Sequence, residues 1–304
     1  MDIPNERSSH LIPTARGGGL AIVHTFLLGL FVLKKAGFLP AFLFWALVGS
    51  GVLVAFTGWM DDRYDISAGT RLISHFIAAG LALFCLGGLP PLFILGHSLN
   101  LGWFGHILAV FYLVWLLNLY NFMDGINGIA GIEAISICIG IIILALLLNI
   151  QATLYILALL FASAIMGFLF WNFPVAKIFM GDVGSGFIGM ILGIFSIWSG
   201  WIKPELFWVW LILLGVFIVD ASVTLLRRAL RREKVYEAHR SHAYQHAAQI
   251  YGHSRVALAY GAINLFWLLP VAILVALGFW DGALGLVVAY CPLIAGVLWF
   301  KGGE

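Results

Sequence analysis

The sequence predicts an all-α fold, a polytopic bundle of about ten membrane-spanning helices, and three observations carry that prediction. Of 304 residues 62% are apolar and 10% charged, far from the roughly 45–50% apolar and 25% charged mix of soluble domains. A single water-soluble core is excluded. The apolar residues fall into ten uninterrupted stretches close to the length of about 20 residues that crosses a bilayer. Ten passes put both ends of the chain on one side, and thirteen of the sixteen Lys and Arg then lie on that side. By the positive-inside rule that face is cytoplasmic, and the chain is a multi-pass membrane protein. Strands would need a ten-residue alternation that these runs lack, and lipid leaves no partner for unpaired backbone, so the spans are helices.

Taken in order, a polar stretch, "DIPNERSSHLIPTARGGG" from Asp2 to Gly19, leads into span one, about 17 to 33. It lacks the pattern of a secretory signal. Span two, 40 to 59, runs into Asp61-Asp62. Two carboxylates at the negative end of a helix dipole are unfavourable without a cation. Either a divalent metal or the neighbours Arg63 and Arg71 resolve that conflict. Oxygen ligands favour Mg²⁺, with Mn²⁺ the alternative. Span three covers 71 to 87, and the nearly uncharged loop Gly87 to Leu101 follows on the opposite face.

Span four, 104 to 121, ends in "NLYNFMDGINGIAG", where Asn118 and Asn121 add amides able to bond phosphate, sugar or base. Asp124 opens span five, 128 to 148. On a helix it shares a small polar face with Asn127-Gly128 and Gly131, either to receive a ligand or as a cap with close helix packing. Glu133, nine residues on, is about 13 Å further along and on the opposite side, which makes it a structural partner. Span six, 154 to 171, is followed by "NFPVAKIFMGDVGS", with Lys177 and then Asp182 beside Gly181, Gly184 and Gly186. Free amides at the start of span seven, 184 to 201, favour an anion, and an adjacent carboxylate points to a bridging metal or to a cap. The Gly-Lys-Ser/Thr ending of a Walker loop is missing.

Span eight, 206 to 226, holds Asp220, placed for an internal pairing or a polar lining. The basic segment 227–255 comes next, then spans nine, 255 to 277, and ten, 282 to 300. Within it His239, His242 and His246 recur at i, i+3 and i+7, one face of a helix, next to Arg240. Zinc, anionic lipid and phosphate all suit such a face, and the surrounding arginines favour phosphate. Cys85, Cys138 and Cys291 each sit in an apolar run and are expected as packed free thiols.

Carboxylates, glycine turns and a cationic loop from five segments of one face form a metal-assisted phosphoryl-transfer pattern. With "DIPNERSSHLIPTARGGG", "DDRYDIS", "NLYNFMDGINGIAG", "NFPVAKIFMGDVGS" and "HRSHAYQHA" in that order, the chain resembles the polyprenyl-phosphate N-acetylhexosamine-1-phosphate transferases, relatives of the muramoyl-pentapeptide translocase. The first and last motifs look most like the branch that initiates O-antigen. The resemblance covers the whole chain, read as one transmembrane transferase domain over 1–304 with a basic loop at 227–255. It implies transfer of a sugar 1-phosphate from a UDP-N-acetylhexosamine to undecaprenyl phosphate, with release of UMP and a need for Mg²⁺. Nucleic acid is not among the expected partners, and a homodimer is compatible with such a bundle.

By the same resemblance Asp61 or Asp62 would assist the lipid phosphate, and Asp124 and Asp182 would serve the metal. Asn118, Asn121, Lys177, His239, Arg240 and His242 would bind substrate. Asn127 stands where several branches carry a second Asp, and it cannot be an anionic ligand. Family members usually have a hydrophobic helix before the Asp-x-Pro-Asn segment, so a native form is expected to extend upstream by about 20 to 40 residues. A transporter would instead scatter its acids through the bilayer thickness. The Asp-Gly-x-x-Ala-Arg pattern of CDP-alcohol phosphotransferases fails at Asn127-Gly128-Ile129, and a lipid-binding scaffold is the remaining alternative.

Overall fold

The computed structural model describes residues 13–233 and 240–304. It is a helical bundle with two short two-stranded pairings at its ends. Strand β1 (Ala15–Arg16) enters α1 (Gly19–Lys35), followed by α2 (Ala41–Tyr64) and α3 (Ala68–Leu86). The hairpin β2 (Leu92–Ile94) and β3 (His97–Leu99) leads to α4 (Gly102–Met123), α5 (Ile129–Leu147) and α6 (Ala152–Asn172). Strand β4 (Ile178–Phe179) pairs in parallel with β1 just before α7 (Asp182–Ile202). The chain continues through α8 (Pro204–Leu213), α9 (Gly215–Leu230), α10 (Ala243–Tyr251), α11 (His253–Ile263), α12 (Leu269–Ala276) and α13 (Gly282–Trp299).

Helix α7 is the axis of the bundle. Its apolar window is buried along its whole length, and it packs against α1, α2, α4 and α8. Small residues permit that density, since lipid supplies no hydrophobic drive and helices hold by close packing. A Cβ on Gly189 would lie 2.6 Å from the Leu116 carbonyl oxygen and 2.8 Å from Leu117 Cα, so only glycine admits the α4 backbone there. The outer helices turn Phe84, Phe266 and Trp299 outwards, where apolar side chains meet lipid. Cys85 and Cys138 are packed to different degrees, whereas Cys291 is exposed rather than packed.

Among the described residues eight helical stretches are long and apolar enough to cross a bilayer, and a bent pair makes a ninth. Two of the ten expected spans account for the difference. Helix α1 has 17 residues, about 25 Å, short of a hydrocarbon core about 30 Å thick. The eighth span is broken into α8 and α9, which meet at 65°. The Tyr290 hydroxyl donates to the Leu211 carbonyl at that break, satisfying a group that lipid could not. The ninth span carries a π-helical turn at Asn264–Leu268 ahead of Pro270, whose missing N–H removes one rung of the ladder.

Candidate functional site

At one end of the bundle the last turn of α2, the first turn of α7, the β1 strand and the start of α3 converge on three carboxylates and two guanidinium groups. Asp62 accepts from the Asp182 amide at 3.1 Å and the Val183 amide at 3.3 Å. The free amides expected to meet an anion at the start of α7 are therefore taken by a carboxylate of this chain. Such a cap complements the positive end of the helix dipole. Helix α2 can come this close because residue 58 is glycine: a Cβ there would stand 2.6 Å from the Asp182 carbonyl and the Val183 nitrogen.

Arg16 bridges two of the acids, with Nε 2.9 Å from Asp62 Oδ1 and Nη2 2.6 Å from Asp182 Oδ1. Its strand is held by the amides of Gly17 and Gly18 on the Phe179 carbonyl and of Gly19 on the Met180 carbonyl. Arg71 bridges from the other side, with Nη1 2.5 Å from Asp61 Oδ2 and 3.7 Å from Asp182 Oδ2. Asp61 Oδ1 is buried with no hydrogen-bond partner. Arg63, the other cation expected to neutralise the pair, lies instead over the rings of Trp59 and Tyr64.

Asp124 does not open a helix. It is the C-terminal cap of α4, and residues 124–128 form a connector that ends at Gly128 with φ 78°, so α5 starts only at Ile129. The helical face expected to join Asp124 with Asn127, Gly128 and Gly131 does not exist. The reason is Asn172: its Oδ1 accepts from the Gly128 amide at 2.7 Å and its Nδ2 donates to the Ile178 carbonyl at 2.9 Å, tying the connector to the strand before α7. Asn127 donates to the Pro174 carbonyl at 3.3 Å. Asp124 is half-buried, and burial together with the nearby Asp182 charge pushes its carboxyl up to about 8, against a smaller opposing pull from Arg16.

The expected substrate-binding residues divide. Asn121 reaches Ser185 of α7 at 3.4 Å, whereas Asn118 donates to the Val114 carbonyl of its own helix at 2.7 Å. Lys177 stands 5.4 Å from the centre of the Trp171 ring. His239 lies outside the described residues, and Arg240 is within electrostatic reach of Tyr244 and His253. His242 does not share a helical face with His246. It is the N-terminal cap of α10, buried, with Nδ1 3.5 Å from Asp220 Oδ1, while His246 lies within the helix. Glu133 is buried against Asn264, which donates to it at 2.8 Å.

Sequence reasoning passed over Arg16, Arg71 and Asn172 as site residues. Arg16 stood inside a quoted glycine motif and Arg71 appeared only as a counter-charge, so a signal existed for both. Asn172 carried none beyond opening the "NFPVAKIFMGDVGS" motif. Among the described residues no three His, Cys, Asp or Glu side chains are arranged to cage a metal. Asp61, Asp62, Asp124 and Asp182 gather at one end of the bundle rather than through its thickness, unlike the scatter expected of a transport path.

The sequence model of the family described as "Glycosyl transferase family 4" matches residues 44–200, the stretch that contains Asp61, Asp62, Asp124 and Asp182. Among curated proteins, the chain is 31% identical over 252 residues to the "Probable undecaprenyl-phosphate N-acetylglucosaminyl 1-phosphate transferase" of Bacillus subtilis, covering 80% of this chain and 68% of that one. It is 27% identical over 291 residues to the "Decaprenyl-phosphate N-acetylglucosaminephosphotransferase" of Mycobacterium leprae, covering 84% and 72%. To the "Phospho-N-acetylmuramoyl-pentapeptide-transferase" of Chlamydia muridarum it is 28% identical over 250 residues, covering 74% and 72%.

Proposed function

Because the chain belongs to glycosyl transferase family 4, we propose that it transfers N-acetylhexosamine 1-phosphate from a UDP-sugar to undecaprenyl phosphate. UMP leaves, and the product begins an O-antigen or a related envelope polysaccharide. The observation that carries this reading is the cluster of Asp61, Asp62 and Asp182 with Arg16 and Arg71, with Asp124 beside it. A cluster of that composition suits phosphates and a divalent cation together. The active end faces the cytoplasm of the bacterial inner membrane, where the excess of Lys and Arg lies.

The reaction moves one phosphoryl bond. An oxygen of the acceptor phosphate attacks the sugar-bearing phosphorus of the donor, a new diphosphate bond forms, and the bond to UMP breaks with its electron pair on UMP. Little proton removal is needed from a phosphate oxygen, so the chain acts mainly by placing charge. Arg16 and Arg71 are fork-shaped donors matched to phosphate oxygens. Asp62 is committed to the α7 amides and acts by holding Asp182 in position. Asp61, with one oxygen unpartnered, is the carboxylate we assign to assisting the acceptor phosphate.

Mg²⁺, or Mn²⁺ in its place, fits these residues on two grounds. The donor set is all oxygen, and the carboxylates outnumber the guanidinium groups, with one buried oxygen unsatisfied. Asp124 and Asp182 would hold it, phosphates completing the shell as Mg²⁺ usually requires. When bound, the ion supplies neutralisation of charge developing on the diphosphate. Asn118, Asn121, Lys177, Arg240, His242 and His239 contribute to binding nucleotide, sugar and phosphate. The test is UMP release by the purified protein in detergent, with undecaprenyl phosphate, Mg²⁺ and a panel of UDP-N-acetylhexosamines. Release that depends on lipid and is abolished by Asp182→Asn and by EDTA is expected. Silence across the whole panel refutes the activity.

A further inference from the structure

Asp220 is fully buried in the first half of α9, and every group hydrogen-bonded to its carboxylate is a donor. Oδ1 accepts from the Ala243 amide at 2.9 Å and the Thr224 hydroxyl at 3.2 Å, with His242 Nδ1 at 3.5 Å. Oδ2 accepts from the Tyr244 amide at 3.0 Å and the Tyr260 hydroxyl at 2.8 Å. The two amides are the first two of α10, so the carboxylate sits at the positive end of that helix. An ionised carboxylate presents only acceptors, whereas an amide of the same shape would turn N–H groups towards donors. The pocket fits a carboxylate and not an amide.

What the carboxylate holds in turn rests on the Asp124 connector. The Tyr244 hydroxyl donates to the Phe122 carbonyl at 3.0 Å. A Cβ on Gly125 would fall 2.1 Å from that hydroxyl oxygen, so the tyrosine lies directly on the residue after Asp124. The His242 ring stacks on Phe122, at 6.5 Å and 23°, and on Tyr244, at 5.7 Å and 25°. The His242 amide donates to Gln245 Oε1 at 3.2 Å, closing the first turn. Residue 241 is tied separately, by Arg228 on its hydroxyl and by the Gly303 amide on its carbonyl.

We infer that Asp220 is a positioning residue: it clamps the start of α10 and so holds His242 and Tyr244 against the connector that carries Asp124. It touches no reacting atom. The inference rests on the proposed transfer reaction for its kinetic consequence, and on geometry alone for the clamp.

The experiment measures KM separately for the UDP-sugar donor and for undecaprenyl phosphate, with hydrogen–deuterium exchange of the peptide 240–251. Asp220→Asn is expected to raise the donor KM about ten-fold or more, as loss of charge-assisted bonds does, and to leave the acceptor KM little changed. Exchange in the peptide rises. Glu133→Gln is the control, because it also replaces a fully buried acid by its amide but does not touch α10; its donor KM and peptide exchange stay at wild-type values. Tyr260→Phe and Thr224→Val each remove one donor and keep the charge, and serve if Asp220→Asn does not fold; a rise in donor KM of about two- to three-fold is expected for each. Unchanged exchange in Asp220→Asn, or in both substitutes, overturns the clamp. A donor KM that stays at the wild-type value, or that shifts equally in Glu133→Gln, overturns the positioning role. A wild-type protein that transfers nothing overturns the reaction and that role together, while exchange still decides the clamp.

Discussion

Replacing Gly58 by alanine tests whether the contact between α2 and α7 sets the carboxylate cluster. The new Cβ would stand 2.6 Å from the Asp182 carbonyl carbon and oxygen and from the Val183 nitrogen. All three are backbone atoms, so no side chain can rotate away. Ordinary contact begins near 3.4 Å, and the helices must separate by about 0.8 Å. Asp62 lies one turn beyond Gly58 on the same face. Its bonds to the Asp182 and Val183 amides, 3.1 and 3.3 Å, would stretch to about 4 Å, past hydrogen-bonding range. Overpacking costs about 1–3 kcal/mol, and losing the carboxylate's bonds costs about 1.5–3 kcal/mol more. A misplacement of about 1 Å at a reacting site lowers turnover about 100-fold.

The assay pairs UMP release at saturating substrates with thermal unfolding in detergent. Gly167→Ala is the companion, since a Cβ there meets nothing within 4 Å and it adds a methyl to α6 without displacing anything. Gly58→Ala is expected to be less stable and far slower than Gly167→Ala. Equal rates in the two variants would refute the claim that this helix contact positions Asp62 and Asp182.

Two further predictions follow from the same geometry. Asp124 is pushed up to about 8, above its unfolded value of 3.8, so its contribution to stability is complete below the unfolded value and is lost as pH rises through 8. In EDTA, wild type should lose melting temperature relative to Asp124→Asn between about pH 4 and about pH 8, and a constant gap would contradict the burial described. Arg16→Gln removes the cation shared by Asp62 and Asp182. Without donor, Mn²⁺ binding followed by electron paramagnetic resonance should tighten, because guanidinium and metal compete for Asp182; unchanged affinity would place the metal elsewhere.

The helical class and the positions of the spans were legible because they depend on local properties. A run of about 20 apolar residues must satisfy its own backbone in lipid whatever surrounds it. The pairs Asp61-Asp62 and Gly181-Asp182 were legible as well, since unusual charge and glycine stood out against apolar runs. Periodicity failed at Asp124 and at His242, where it implied helix and the chain forms a connector and a cap. In both places a distant side chain, Asn172 or Asp220, bonds the backbone at the turn. Composition and hydropathy alone determined that this chain is a polytopic helical bundle with Asp61, Asp62, Asp124 and Asp182 at span ends. Tertiary structure decided which cation meets which acid. Arg16 and Asp182 are 166 positions apart, and a salt bridge or cap across such a separation depends on how helices pack, which no local pattern of residues encodes.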